Sequence, residues 1–141
     1  MTQDLSDREA LRACAERYAQ GADRRDKALW QEVLAPDIVI EGPGFCSNGL
    51  TEALATLDTL DDLFRATQHR VSTQVVTLVG DQAHGETYCV AEHILKDSDA
   101  ILVWAIRYQD TWRRTDGVWR FTRRFLIVDW QETRPVSFVE S

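Results

Sequence analysis

The sequence predicts an α+β fold in which three N-terminal helices close a cone-shaped, curved antiparallel sheet into an α+β barrel. Hydrophobic residues recur at helical spacing in the first half of the chain and at strand spacing from residue 67 to residue 130. The 141 residues are 44% hydrophobic and 28% charged, which is typical of one globular domain over residues 1–141. A curled sheet covered by helices leaves a central pocket, where small molecules commonly bind.

Helix caps and apolar spacing predict the first two helices. Ser6 and Glu9 have the spacing of a capping box, and a first helix is expected over about residues 7–23. Asp26 is a good cap for a second, shorter helix, which Pro36 ends.

A strand, a loop and a third helix are expected next, before the long strands. Residues 37–41 read as a short strand, residues 42–49 as a loop because of their glycines, proline, serine and asparagine, and residues 50–64 as a leucine-rich helix. About four long strands follow, and the segment 134–141 is expected to be a loosely held tail. The turns between these strands are predicted at residues 80–81, 97–99 and 115–117.

Charge and motif content exclude several classes of partner. The formal net charge of −7 would repel phosphate backbones, so no nucleic acid is expected. No leader-like start and no apolar run of about 18 residues is seen, which predicts a cytoplasmic protein without a membrane partner. The three cysteines and three histidines lack metal spacing, and nucleotide-binding motifs are absent, so neither metal nor cofactor is expected.

Asp23 and His69 are the first candidates for chemistry. A carboxylate near the C-terminal end of a helix is disfavoured by the helix dipole, so Asp23 either faces the pocket for function or pairs on the surface with Arg24 or Arg25. Imidazole groups in general can exchange a proton near neutral pH, and a carboxylate facing His69 would make this histidine a general base. The alternative is that His69 is a structural histidine with its hydrogen bonds satisfied.

Tyr18 and Arg124 are candidates to stabilise developing negative charge. Strand alternation places Phe121 and Arg123 on one face and Arg124 on the other, so only one of these arginines can point inward. A buried Arg124 could stabilise an oxyanion or a leaving group, or it could form a surface ion pair. Tyr18 lies on the apolar stripe of the first helix, either as core or as a phenol that donates to a departing hydroxyl.

The remaining candidates lie on two long strands. His84 and His93 are an odd number of residues apart and therefore face opposite sides of their strand. We expect His93 to face the pocket and His84 to lie on the surface. Trp104, Tyr108 and Trp112 share one strand face by the same rule. They could form an aromatic wall for a flat ring, part of the core, or a dimer interface.

The element order and three motifs identify a family resemblance. The motifs are Tyr18-x4-Asp23 at the end of helix one, Gln68-His69 opening a long strand, and DGVWRFTRR over residues 116–124. Over nearly the whole chain they resemble the SnoaL-like branch of the nuclear transport factor 2-like superfamily. The most similar group contains hexachlorocyclohexane dehydrochlorinase, bile-acid 7α-dehydratase and, more distantly, scytalone dehydratase, which are cofactor-independent lyases.

The resemblance implies both a site and a reaction class. It implies that Asp23 and His69 are catalytic, that Tyr18 and Arg124 help the leaving group or an oxyanion, and that His93 is a second site histidine. The expected function is dehydration, or a related elimination that releases formaldehyde, of a small hydrophobic aromatic or polycyclic alcohol, in a homodimer or homotrimer. An isomerase or cyclase that uses the same base, and a non-catalytic binding module, stay open as alternatives.

Overall fold

The computed structural model describes residues 2–140, in which three helices and six strands follow one another. The elements are α1 (Gln3–Arg24), α2 (Lys27–Val33), β1 (Leu34–Gly42), β2 (Phe45–Asn48), α3 (Leu50–Leu63), β3 (Phe64–Val79), β4 (Gln82–Leu95), β5 (Ala100–Thr115) and β6 (Val118–Pro135). Within residues 2–140, no helix is long and apolar enough to cross a membrane.

The six strands form one curved sheet in the order β2-β1-β6-β5-β4-β3. Neighbouring strands are antiparallel except β1 and β6, which run parallel, so the sheet is mixed. The sheet stays open at β2 and β3, and α1 packs on β3 and β6 while α3 packs on β1, β2 and β3. The predicted α+β class and cone shape are confirmed, with a mixed, open sheet in place of a closed antiparallel barrel.

The first helix begins earlier than its sequence pattern predicts. The side chain of Thr2 accepts a hydrogen bond from the backbone N–H of Leu5 at 3.2 Å and caps α1, whereas Ser6 lies inside the helix. The predicted capping box at Ser6 is therefore wrong. The predicted cap of α2 is confirmed, because Asp26 accepts from the N–H of Leu29 at 3.0 Å.

The predicted loop over residues 42–49 contains strand β2. Gly44 has a positive φ of 78° and helps to close a tight turn after β1. Because the turn is so short, the residues on either side of it pair, with Gly42 opposite Phe45 and Glu41 opposite Cys46. The segment 45–48 is thus a hairpin strand, which the loop prediction missed.

A β-bulge in β6 changes which side chains point inward. Phe121 pairs with Trp112 while Arg123 pairs with Thr111, so Thr122 is an extra residue on β6. Phe121 and Arg124 consequently both point into the protein, and both are buried. The prediction that they lie on opposite faces is wrong, whereas the prediction of a single inward arginine holds, since Arg123 is exposed.

The end of the chain is bound to the sheet by two contacts. The N–H of Val136 donates to the carbonyl of Asp99 at 3.0 Å. The guanidinium of Arg65 lies 4.7 Å from the ring centroid of Phe138. That the segment 134–141 is loosely held, and that residues 1–141 form one domain, both stay predictions.

Candidate active site

A cavity of about 400 Å³ lies between the helices and the curved face of the sheet. Most of its wall is apolar or aromatic, with Trp30, Phe64 and Trp104 among the larger side chains. The polar residues that also line it are Tyr18, Ser47, Thr56, Thr59, His69, His93 and Tyr108. The cavity falls within the range of about 300–1,000 Å³ that is usual for small-molecule sites.

His69, which lines this cavity, is hydrogen-bonded to Asp23. Asp23 lies in the last turn of α1 and His69 on β3, and Nδ1 of His69 is 2.7 Å from Oδ1 of Asp23. The backbone N–H of His69 also donates to Oδ2 of Asp23, at 2.8 Å. The side chain of Asp23 is only 21% exposed and that of His69 only 8%. The surface alternative is not observed, since Asp23 has no ion pair with Arg24 or Arg25 among residues 2–140.

The pairing determines which nitrogen of His69 carries the proton. An ionised carboxylate can only accept, so Nδ1 donates to Asp23, and Nε2 of the neutral ring is left with its lone pair free. Because the ring borders the cavity, this arrangement can accept a proton from a bound molecule.

His93 lies beside His69 on the same cavity wall. It is 4% exposed, and its Nδ1 donates to the carbonyl of Leu102 at 3.0 Å. Its ring lies edge-to-face with that of His69, with 6.1 Å between centroids. Burial lowers the pKa of His93, so the ring is neutral at pH 7. His84, on the other face of β4, is exposed, as the alternation predicts.

Two buried phenols also face the cavity. Tyr18 and Tyr108 are 6% and 2% exposed, and neither hydroxyl has a hydrogen-bond partner in the part of the chain that the structure describes. Burial raises the pKa of Tyr18 to about 12 and raises that of Tyr108 well above its usual range. Both phenols are therefore protonated at neutral pH and free to donate to a ligand.

Arg124 lies behind the phenols and does not border the cavity. Its guanidinium is 3.6 Å from the ring centroid of Tyr108 and 4.3 Å from that of Tyr18. Nε and Nη2 donate to the two oxygens of Asp110 at 2.8 and 3.1 Å. Burial raises the pKa of Asp110. For Arg124, burial lowers the pKa, but the charge and hydrogen bonds of Asp110 together with the two tyrosines more than offset it, so the pKa lies above its usual value.

The structure thus places three of the five predicted site residues, Tyr18, His69 and His93, in the wall of one cavity, and Asp23 in contact with one of them. Asp23 and His69 are in contact, Tyr18 and His93 line the same wall, and Arg124 is separated from it by tyrosine rings. Tyr108 is a polar site group that the sequence pattern did not predict. Its period-two relation to Trp104 on the same strand was the available signal.

Comparisons with known proteins agree with this fold. The sequence profile of the SnoaL-like domain matches residues 3–125. No curated protein matches the chain significantly. Solved structures do, including one described as a candidate scytalone dehydratase from Novosphingobium aromaticivorans, with a TM-score of 0.83 at 22% identity over 96% of this chain and 91% of that one.

Two further structures have similar scores. Hexachlorocyclohexane dehydrochlorinase of type 3 from Novosphingobium barchaimii has a TM-score of 0.88 at 18% identity over 98% of this chain and 97% of that one. A protein from Kribbella flavida has a TM-score of 0.84 at 25% identity over 92% and 95%. Apart from the match to the domain profile, these likenesses concern the fold.

Proposed function

The chain belongs to the SnoaL-like family, and on that premise we propose that it is a cofactor-independent lyase that removes water from a small hydrophobic aromatic alcohol. The observation that carries the proposal is the Asp23–His69 pair, in which Nδ1 of His69 lies 2.7 Å from Oδ1 of Asp23 while the ring of His69 lines a largely apolar cavity. Two structural neighbours bear the names of eliminating enzymes, a dehydratase and a dehydrochlorinase, which is consistent with this reaction class.

His69 is the proposed base. Nε2 takes a proton from the carbon next to the one that bears the hydroxyl, and the electron pair of that C–H bond becomes the new C=C bond. The carboxylate of Asp23 accepts from Nδ1 and stabilises the imidazolium that forms. The apolar wall strengthens this interaction, since charges interact more strongly where water is excluded.

The phenols are the proposed donors to the leaving hydroxide. A phenol with a pKa of about 12, as for Tyr18, gives its proton readily to hydroxide, whose conjugate acid has a pKa of about 15.7. The products are an alkene and water. The proton on His69 then returns to the phenolate and restores the starting state, so that no cofactor is consumed.

Arg124 is proposed to assist through the tyrosine rings. Its fixed positive charge lies below Tyr108 and Tyr18 and stabilises negative charge on their oxygens. His93, neutral and bonded to Leu102 through Nδ1, offers an acceptor at Nε2 for a hydroxyl of the substrate.

A formaldehyde-releasing elimination would use the same groups. There His69 takes the proton of a terminal hydroxyl, the C–C bond to that carbon breaks, and formaldehyde leaves while the electron pair forms the C=C bond and expels hydroxide. The cavity volume of about 400 Å³ lies at the lower end of the usual range, which favours a substrate of one or two rings over a steroid.

The test is mass spectrometry after incubation of the protein with benzylic diols, β-hydroxy ketones and hydroxysteroids. We expect loss of one water from a benzylic alcohol with the unaltered protein, and a loss of rate of at least about 1,000-fold in Asp23→Asn and His69→Gln. His84→Gln, which changes an exposed histidine on β4, is the matched control and should keep the full rate.

Other outcomes would replace the proposal. Loss of formaldehyde would select the second version of the elimination. Deuterium uptake from heavy water without loss of mass would indicate an isomerase, and binding of a compound without reaction would indicate a binding module. Full activity in His69→Gln would exclude His69 as the base.

A further inference from the structure

We propose that Arg25, the residue that follows α1, is a positioning residue that orients the Asp23–His69 pair through the hydroxyl of Thr67. The expected effect on turnover rests on the proposed function, whereas the expected effect on the imidazole of His69 does not. Arg25 touches neither the cavity nor His69 directly, so its action would be exerted on the carboxylate of Asp23.

A directed chain of hydrogen bonds joins the three side chains. Nη1 of Arg25 lies 2.8 Å from Oγ1 of Thr67, which lies 3.1 Å from Oδ1 of Asp23. A guanidinium can only donate, so it occupies a lone pair of the Thr67 oxygen and leaves the single hydroxyl proton to point at Asp23. Oδ1 is the same oxygen that accepts from Nδ1 of His69.

The backbone at Arg25 is one that favours glycine. Arg25 has φ 54° and ψ 40°, in the left-handed region. The N–H of Asp26 donates to Gly21 and the N–H of Arg25 to Ala22, which are the two bonds of a Schellman motif. Arg25 thus occupies the position that glycine usually takes. The backbone bonds that end the helix do not require an arginine there, although its Nη1 also donates to the carbonyl of Ala22 in the last turn.

The side chain of Arg25 carries a second local cost. Its Nε is buried and has no hydrogen-bond partner within residues 2–140. Its ion-pair partner, Asp61, is 72% exposed and 3.7 Å away, so this pair adds little stability. The hydrogen bonds that the side chain does make come from Nη1, which donates to the carbonyl of Ala22 at 2.5 Å and to Oγ1 of Thr67, a residue that is 9% exposed.

This chain of hydrogen bonds from Arg25 through Thr67, here called the relay, completes the hydrogen bonding of the Asp23 carboxylate. Oδ1 accepts from Thr67 and from Nδ1 of His69, and Oδ2 accepts from the backbone N–H of His69. With the carboxylate held on both oxygens, the Nδ1–H tautomer of His69 is favoured. Without the relay the carboxylate can rotate, and the Nε2–H tautomer, which is useless as a base toward the cavity, gains population.

The test compares Arg25→Gly and Thr67→Val with the unaltered protein. Nitrogen NMR of the His69 ring, recorded at about pH 8, reports which nitrogen carries the proton in neutral histidine. We expect well-separated Nδ1–H and bare Nε2 signals in the unaltered protein, moving toward averaged positions in both variants. Thr67→Ser keeps the hydroxyl and should restore the separation.

Asp116→Gly is the matched control for the change of backbone. Within residues 2–140, Asp116 is the other non-glycine residue with positive φ, at 52°, and it lies in the turn between β5 and β6. Both glycine substitutions relieve the same backbone strain, but only Arg25→Gly should alter the His69 signals. An unchanged tautomer in both Arg25→Gly and Thr67→Val would overturn the proposal, whatever happens to Tm.

Kinetics give a second readout, with any compound of the panel that the protein converts. Arg25→Gly and Thr67→Val should each lower kcat by about 10-fold and leave KM within about twofold, and the double variant should be no slower than the slower single variant. Multiplied losses would mean that the residues act separately, and would overturn the relay. A tautomer change in a protein that converts no compound would leave the relay standing and refute only the proposed lyase.

Discussion

The buried polar residues of this protein differ in whether their hydrogen bonds are complete. Arg124 and Asp110 satisfy each other with two bonds, and Thr87 adds a third at 2.7 Å. The phenols of Tyr18 and Tyr108, directly above this pair, have no partner among the described residues. Because both phenols border the cavity, a bound ligand is the partner that we expect for these two donors.

Replacing Tyr108 with Phe tests this inference. The ring, its packing and its contact with Arg124 are kept, and only the hydroxyl is lost, so Tm should stay within about 2 °C of the unaltered value. If the hydroxyl donates to substrate, kcat/KM should fall by about 10- to 100-fold, measured on a compound that the panel identifies.

Tyr88→Phe supplies the comparison for that variant. Tyr88 is 41% exposed on β4, so the loss of its hydroxyl should change neither Tm nor rate. If Tyr108→Phe were as active as Tyr88→Phe, the hydroxyl of Tyr108 would have no role in the reaction.

At the level of elements, the periodicity of apolar residues predicted those helices and strands that local sequence spacing determines. The three helices and the long strands follow from apolar spacing and turn residues, and Asp26 caps α2 as predicted. The misses have local causes that a pattern does not contain. Thr2 and Ser6 are both competent caps, and the extra residue at Thr122 is defined by the partner strand β5, which a single strand's alternation cannot reveal.

At Gly21, packing against a neighbouring helix reverses the usual preference of a helix for alanine over glycine. In an isolated helix, Gly21→Ala would be stabilising by roughly 1 kcal/mol. Here a Cβ at position 21 would lie 2.4 Å from Cδ1 of Trp30, whose ring stacks on Tyr18 at 4.5 Å and donates to its carbonyl at 2.9 Å. We expect the free energy of unfolding to fall by about 1–3 kcal/mol in urea titrations.

The neighbouring Gln20→Ala is the control for that measurement. Gln20 is exposed on the same helix, so its change should alter the free energy of unfolding by no more than about 0.5 kcal/mol. A Gly21→Ala protein that is more stable than the unaltered one would mean that Trp30 moves aside without cost.

At the level of the whole molecule, the site depends on contacts between distant parts of the chain. Asp23 and His69 are 46 residues apart, and the packing of α1 on β3 brings them within 2.7 Å. Motif spacing could nominate both residues through the family resemblance, but not Thr67 or Arg25, whose relevance lies in where their atoms point. Nor could it place Arg124 behind Tyr108, because that depends on the bulge in β6.

His93 is expected to make the stability of the whole fold depend on pH. Burial lowers its pKa below the ordinary value of 6.5, with smaller effects from Leu102, His69, Asp23 and Arg25. Below about pH 6.5 the unfolded chain binds a proton here that the folded chain does not, so the free energy of unfolding decreases as pH falls until the folded state is protonated as well.

In His93→Asn, the amide can still donate to Leu102, but it does not titrate. Thermal unfolding measured between about pH 7.5 and pH 5 should therefore show a smaller loss of Tm in this variant than in the unaltered protein. His84→Asn, on the exposed face of the same strand, should lose Tm as the unaltered protein does, and equal losses in all three proteins would mean that His93 is protonated as easily in the fold as in the unfolded chain.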